Sequence, residues 1–312
     1  MKLSELLEKY RIEEKFEVKN EKNFDTLALT QSDIRIPNCT FVDDKKYVGT
    51  LNDSVRMVLT TSEISRELDL NRVGLCIVDN PRNTYFKLHN ALKDCSEYVR
   101  PTFKTKIGEN TTISKWASIA ENNVIIGDNV IIDDFVMVHA NTTIGDNCII
   151  RSGVKLGSVD FEFKRDGNEV FGVEHYGGLV LRNNVEIQCN TVVNRALYPW
   201  DNTTISEFTK IDANVMISHG VKIGARNMIV AGSVIGGRTL LGDDCWVGLS
   251  ATLKNGISVG NGARINLGAV VTKNVAAGES VTGNFAIDHD KFLLNLKGQS
   301  HLDCGYQRGW SS

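Results

Sequence analysis

The sequence predicts a left-handed parallel β-helix with a small α/β domain in front of it. Three observations carry that expectation. From Ile205 to Val271 every sixth residue is aliphatic, through Ile205, Ile211, Ile217, Ile223, Ile229, Ile235, Leu241, Val247, Leu253, Val259, Ile265 and Val271. Four residues after each of these comes, in most repeats, a small or β-branched residue, as at Thr209, Val215, Val221, Ser233, Thr239, Cys245, Ala251 and Ala263. The first hundred residues show neither pattern.

A six-residue period is the signature of a solenoid whose unit is one short strand and one corner. Three units close a triangular coil of roughly 18 residues, and the aliphatic side chain stacks on its equivalent one coil away. An amphipathic helix would instead need apolar residues at i, i+3 and i+4, and this region is dense in Gly and β-branched residues. Earlier runs carry the same period: Ile107, Ile113, Ile119; then Ile126, Ile132, Val138, Ile144, Ile150, Leu156; then Leu181, Ile187, Val193. With only 4 Pro against 27 Gly, corners must be made by Gly and Asn, which accept positive φ.

The phase breaks twice, at 158–178 and at 198–204. Segments that leave a regular solenoid are usually binding loops or inert decoration, and their aromatic residues favour binding. His175 lies in the first of them and is a candidate substrate-binding residue. In the front domain, Val73–Asp79 reads as a buried strand and Asn80–Leu92 as a turn and helix, while Arg56–Ser62 and Cys39–Val48 add strands. The expected division is therefore an α/β domain over 1–102, a β-helix over 103–283 and a C-terminal tail over 284–312.

Composition sets limits. A hydrophobic fraction of 42% and a charged fraction of 23% are ordinary for a globular chain. A net charge of −3 gives no footprint for nucleic acid, and no apolar run approaches the ~18 residues of a membrane span. The amino-terminal stretch lacks a signal-peptide core. Seven scattered cysteines with no CxxC suggest reduced thiols in a cytoplasmic setting rather than a disulfide framework or zinc site.

Among six histidines, His219 stands out by its register. It lies two residues after Ile217, beside a corner and facing outward. Asp212, in the preceding hexad, is placed to orient the imidazole. One coil onward falls Gly237, whose N–H would stack beside the His219 corner as an oxyanion donor. An imidazole base, an amide donor and a cleft suit acyl transfer without a covalent enzyme intermediate. His139, after Val138, is a candidate second pocket residue, with a plain surface histidine the more common case.

At this point the sequence resembles the UDP-3-O-acylglucosamine N-acyltransferases of lipid A synthesis and their relatives that N-acylate nucleotide-linked amino sugars. The resemblance is carried by Thr40–Tyr47 and by CIVDNPRNTYFKLHNAL in the front domain. In the helix it is carried by Tyr176–Leu197 and by Ile211–Gly224, which contains ISHGV. It implies His219 as general base, Asp212 as its partner and Gly237 as the oxyanion donor. It also implies a homotrimer, no metal, no permanently bound cofactor, and acyl-CoA or acyl carrier protein as co-substrate. Phe41 and Tyr47 match positions that stack a uracil ring. Asp44-Lys45 stands where the family commonly has Asn-Pro, which replaces a donor-acceptor amide by a carboxylate. Ile257 stands where lipid A enzymes often carry a second histidine, and the ending looks more like that of sugar acetyltransferases using coenzyme A.

The leading expectation is N-acylation of a nucleotide-linked amino sugar for a surface polysaccharide such as O-antigen or lipopolysaccharide. A narrower alternative is the lipid A reaction itself, on UDP-3-O-(3-hydroxyacyl)glucosamine. A non-enzymatic scaffold, or a metal site drawing on His139, His175 and His219, is the third.

Overall fold

The computed structural model describes residues 1–13, 15–283 and 289–300. From Lys106 onward the chain winds through three parallel faces of eight, eight and nine short strands. The register follows the hexads: Ile211 pairs with Ile229, Ile217 with Ile235 and Ile223 with Leu241. One coil is thus 18 residues, and the fold class is the one the period predicts. The stacked aliphatics form a continuous buried column from Val124 to Val275. Each side chain leaves water on every side, which is the main favourable term holding the coils together.

The second inward position is small because the triangle narrows there. Thr209, Ser233, Thr239 and Ala251 are fully buried, as are Cys148 and, nearly so, Cys245. Asn227 is the polar member of this column. Its amide donates to Gly224 O and Gly242 O, and its carbonyl accepts from Cys245 N–H, so no group is left unpaired. Corners recur in the left-handed region every 18 residues, as at Asn214, Gly232, Ser250 and Gly268. Asx side chains tie corner to corner: Asp146 Oδ1 accepts from Asp128 N–H, and Asn183 Oδ1 from Asp146 N–H.

The front domain is a five-stranded sheet whose strands follow the order Glu17–Lys19, Gly74–Ile77, Val55–Thr60, Asn38–Val42, Thr26–Leu27. The expected helix runs Pro81–Ala91, with Asn80 capping it by accepting from Asn83 N–H and proline in its first turn. An amino-terminal helix, Leu3–Tyr10, buries Leu3, Leu6 and Leu7.

The two departures from the solenoid do something the period does not show. The first contains an antiparallel hairpin, Phe163–Asp166 with Glu169–Gly172. The second is a bend around Tyr198 and Trp200. Together they join the front domain to the coils. Val173, Leu197 and Tyr198 share one buried cluster with Tyr85, Leu88 and Tyr98. Asn83 donates to Arg165 O, Trp200 Nε1 to Leu27 O and Arg100 to Pro199 O. Of the expected tail over 284–312, the described part is the helix His289–Ser300; the rest lies outside the described residues. Among the described residues no helix is long and apolar enough to cross a membrane, and the cysteines are free thiols.

Candidate active site

His219 lies in the corner two residues past the strand Met216–Ile217 and is buried there. The partner that orients it is Asp160, from the first departing loop. Asp160 Oδ2 accepts from His219 Nδ1 at 2.7 Å and from the His219 backbone N–H at 2.8 Å. Burial opposes the Asp160 charge, but the bonds from His219 and from the Phe161 N–H more than offset it, and the carboxyl lies well below the usual range. With its proton held on Nδ1, the imidazole keeps a lone pair on Nε2, which makes no hydrogen bond within the protein.

Asp212 is not at this site. It occupies a different corner, where Oδ1 accepts from Ala213 N–H and Oδ2 from Ala231 N–H one coil on. Its carboxylate fastens two coils together and makes no hydrogen bond to the imidazole. The hexad count puts it on the neighbouring face, where it does not reach the ring, and the loop that carries Asp160 has no register to count.

Gly237 lies one coil beyond His219, as the 18-residue step requires. Arg238 N–H donates to His219 O at 2.9 Å, which stacks the two corners directly. The Gly237 N–H has no partner among the described residues. A Cβ at Gly237 would stand 2.8 Å from His219 Cε1 and 2.9 Å from Nε2, so only glycine leaves room for the ring.

His175 sits beside the base, with ring centroids 5.8 Å apart. Its Nδ1 lies 3.0 Å from Val173 O, while Nε2 is buried without a partner. Burial, then the neighbouring His219, pushes its pKa down to about 4, so it is neutral. Burial also lowers His139. Among the described residues no three His, Cys, Asp or Glu side chains converge as a metal site.

A cleft of about 600 Å³ opens between this corner and the front domain. Phe41, Tyr47 and Phe86 line one side, and Arg82, Lys164 and Arg238 supply positive charge. Glu162 and Lys164 come from the hairpin loop and stand at the His219 end. Both were missed at the sequence level, because an irregular loop hides which of its residues turn inward. Asp44 turns away from the cleft. It caps the short helical turn Lys45–Thr50 by accepting from Lys46 N–H, and it pairs with the Lys46 ammonium at 2.8 Å.

A buried imidazole held by a carboxylate, a free backbone N–H one coil away and an aromatic, cationic cleft define an acyltransferase built on hexapeptide repeats. Comparison with known proteins agrees. Residues 123–158 and 202–237 match the bacterial transferase hexapeptide (six repeats) family, the second stretch spanning His219 to Gly237. The UDP-3-O-acylglucosamine N-acyltransferase of Helicobacter pylori (strain HPAG1) is 28% identical over 232 residues, covering 68% of this chain and 67% of that one. Enzyme 1 of that name from Francisella tularensis subsp. holarctica (strain OSU18) is 30% identical over 204 residues, covering 55% and 57%. Among solved structures, the UDP-N-acetylglucosamine acyltransferase from Campylobacter jejuni superposes with a TM-score of 0.52 over 65% of this chain and 82% of that one. At 19% identity it bears on the fold alone. The chain thus carries hexapeptide repeats on the fold of an acyltransferase and is similar to the UDP-3-O-acylglucosamine N-acyltransferases.

Proposed function

We propose that this chain transfers an acyl group from an acyl thioester to the amine of a UDP-linked, 3-O-acylated glucosamine. The observation that carries the reading is the His219–Asp160 pair opposite the free N–H of Gly237, at the end of a cleft suited to a nucleotide. The named relatives support this narrower reaction over the broader expectation of a surface-polysaccharide N-acyltransferase. Phe41 and Tyr47 offer faces on which a base ring can stack, and Arg82, Lys164 and Arg238 suit a diphosphate.

In this reading the amine nitrogen attacks the thioester carbonyl. His219 Nε2 takes a proton from that nitrogen as the C–N bond forms, and Asp160 stabilises the resulting imidazolium. The Gly237 N–H donates to the tetrahedral oxyanion. When the C–S bond breaks, the imidazolium returns the proton to the thiolate. The donor is an acyl carrier protein or coenzyme A thioester. We extend the reading to a homotrimer. Its support is two pairs of exposed apolar side chains at the same corner, Trp116 with Phe135 in the first coils and Leu249 with Leu267 in the last.

The test is an amide-forming assay with the UDP-sugar and a panel of acyl thioesters. The wild type is expected to acylate the amine, and His219→Ala to fold but lose on the order of 10²–10⁴-fold in kcat, the range a general base contributes. Near-normal turnover in that variant removes the assignment.

A further inference from the structure

We propose that Glu162 is the acceptor-amine site: its carboxylate holds the substrate's ammonium group against His219 and makes the enzyme select an amine over a hydroxyl. The inference rests on the N-acyl transfer reading and names the residue that enforces it.

The geometry is specific. Glu162 Oε2 lies 3.7 Å from His219 Nε2, too far for a direct hydrogen bond. Nε2 makes no hydrogen bond within the protein, so the atom that must accept a proton faces a carboxylate to which it is not itself bonded. A nitrogen at ~2.9 Å from each atom would complete a triangle on that 3.7 Å base and bond to both. Glu162 is also a wall of the cleft, so a sugar entering from the front-domain side meets it before it meets His219.

The charge arrangement points the same way. In the resting site Glu162 pairs with Lys164. Lys164 is an ammonium on a flexible stem whose Nζ lies 4.5 Å from the centre of the Phe86 ring. It therefore stands in for a substrate ammonium. When the amino sugar arrives, its own ammonium replaces Lys164 on Glu162. Lys164 is then released toward Arg82 and Arg238, where the diphosphate lies. A hydroxyl brings no charge and cannot make this exchange, whereas a charge-assisted bond is about twice as strong as a neutral one.

The protons balance. An ammonium and a thioester give an amide, a thiol and one proton. The ammonium on Glu162 first loses a proton to solvent and becomes nucleophilic. The second proton passes through His219 to the leaving thiolate.

The experiment compares wild type and Glu162→Gln on two acceptors, the UDP-linked 3-O-acylated glucosamine and the same UDP-sugar with a hydroxyl in place of the amine. The expected result is a fall of roughly 10- to 100-fold in the amine-to-hydroxyl ratio of kcat/KM, carried mainly by KM for the amine. Equal losses on both acceptors, or no loss on either, overturn the proposal. A measurement without mutation covers a variant that fails to fold. Without thioester, wild type should bind the amine form about tenfold more tightly, and this preference should fade as pH rises above the amine's pKa. Equal binding at all pH values overturns the proposal. If wild type transfers to the hydroxyl and never to the amine, the N-acyl reading itself fails, and the inference falls with it.

Discussion

Asp160 and Asp212 show what a carboxylate's position decides. Asp160 accepts two hydrogen bonds from His219 and one from Phe161 N–H, whereas the two that Asp212 accepts come from the backbone of adjacent coils. Asp160→Asn keeps the side chain's shape and removes the charge that stabilises an imidazolium. It is expected to lower kcat on the order of 10²–10⁴-fold with little change in KM, as loss of an interaction made in the transition state does. Asp212→Asn is expected to show its effect in unfolding midpoint and not in kcat. Steady-state kinetics on the two variants separates these roles, and a larger kcat loss at 212 would reverse them. His219 and Gly237 were legible in the sequence because each sits at a fixed distance from a counted aliphatic. Asp160 and Glu162 were not, because their neighbours in space are 59 and 57 residues away along an uncounted path.

At the scale of the strand and corner, almost everything is local. Each strand is two to four residues long on the coils, too short to specify itself by propensity. What specifies it is the pair of equivalents stacked above and below. This is why the period alone announced the fold, and why the front sheet, which lacks a period, was readable only as separate strands and one helix. The corners add a steric requirement. Asn214 is exposed and holds φ at 57°, where a β-branched residue pays the full left-handed penalty. Asn214→Val is expected to cost ~1–2 kcal/mol in urea unfolding, and Asn214→Gly at most a few tenths. Similar losses for both would mean that the Asn side chain, rather than the dihedral, matters at this corner.

For the molecule as a whole, the departing loops matter most, since the site exists only where front domain, hairpin and coils meet. Two buried histidines lie at that joint. His89 is 2.7 Å from the Tyr98 hydroxyl and 2.8 Å from Glu174 O, and burial pushes both its pKa and that of His175 down to about 4. An unfolded histidine titrates near 6.5. Between pH ~6.5 and ~4 the unfolded chain therefore binds protons that the folded chain refuses, and stability must fall as pH falls through that window. The thermal midpoint should drop roughly 5–10 °C from pH 7 to pH 4.5, as followed by circular dichroism. A midpoint that holds steady or rises on acidification would contradict the buried neutral state. The same joint also sets an order of events during synthesis. The aromatic flank of Tyr85, Leu88 and Tyr98 leaves the ribosome about a hundred residues before Val173, Leu197 and Tyr198, which complete its cluster. At ~5–20 residues per second the nascent front domain waits roughly 5–20 seconds with an apolar side uncovered. In that interval it is exposed to chaperones and to sticking to its own kind, and it is released from both when the second loop closes over it.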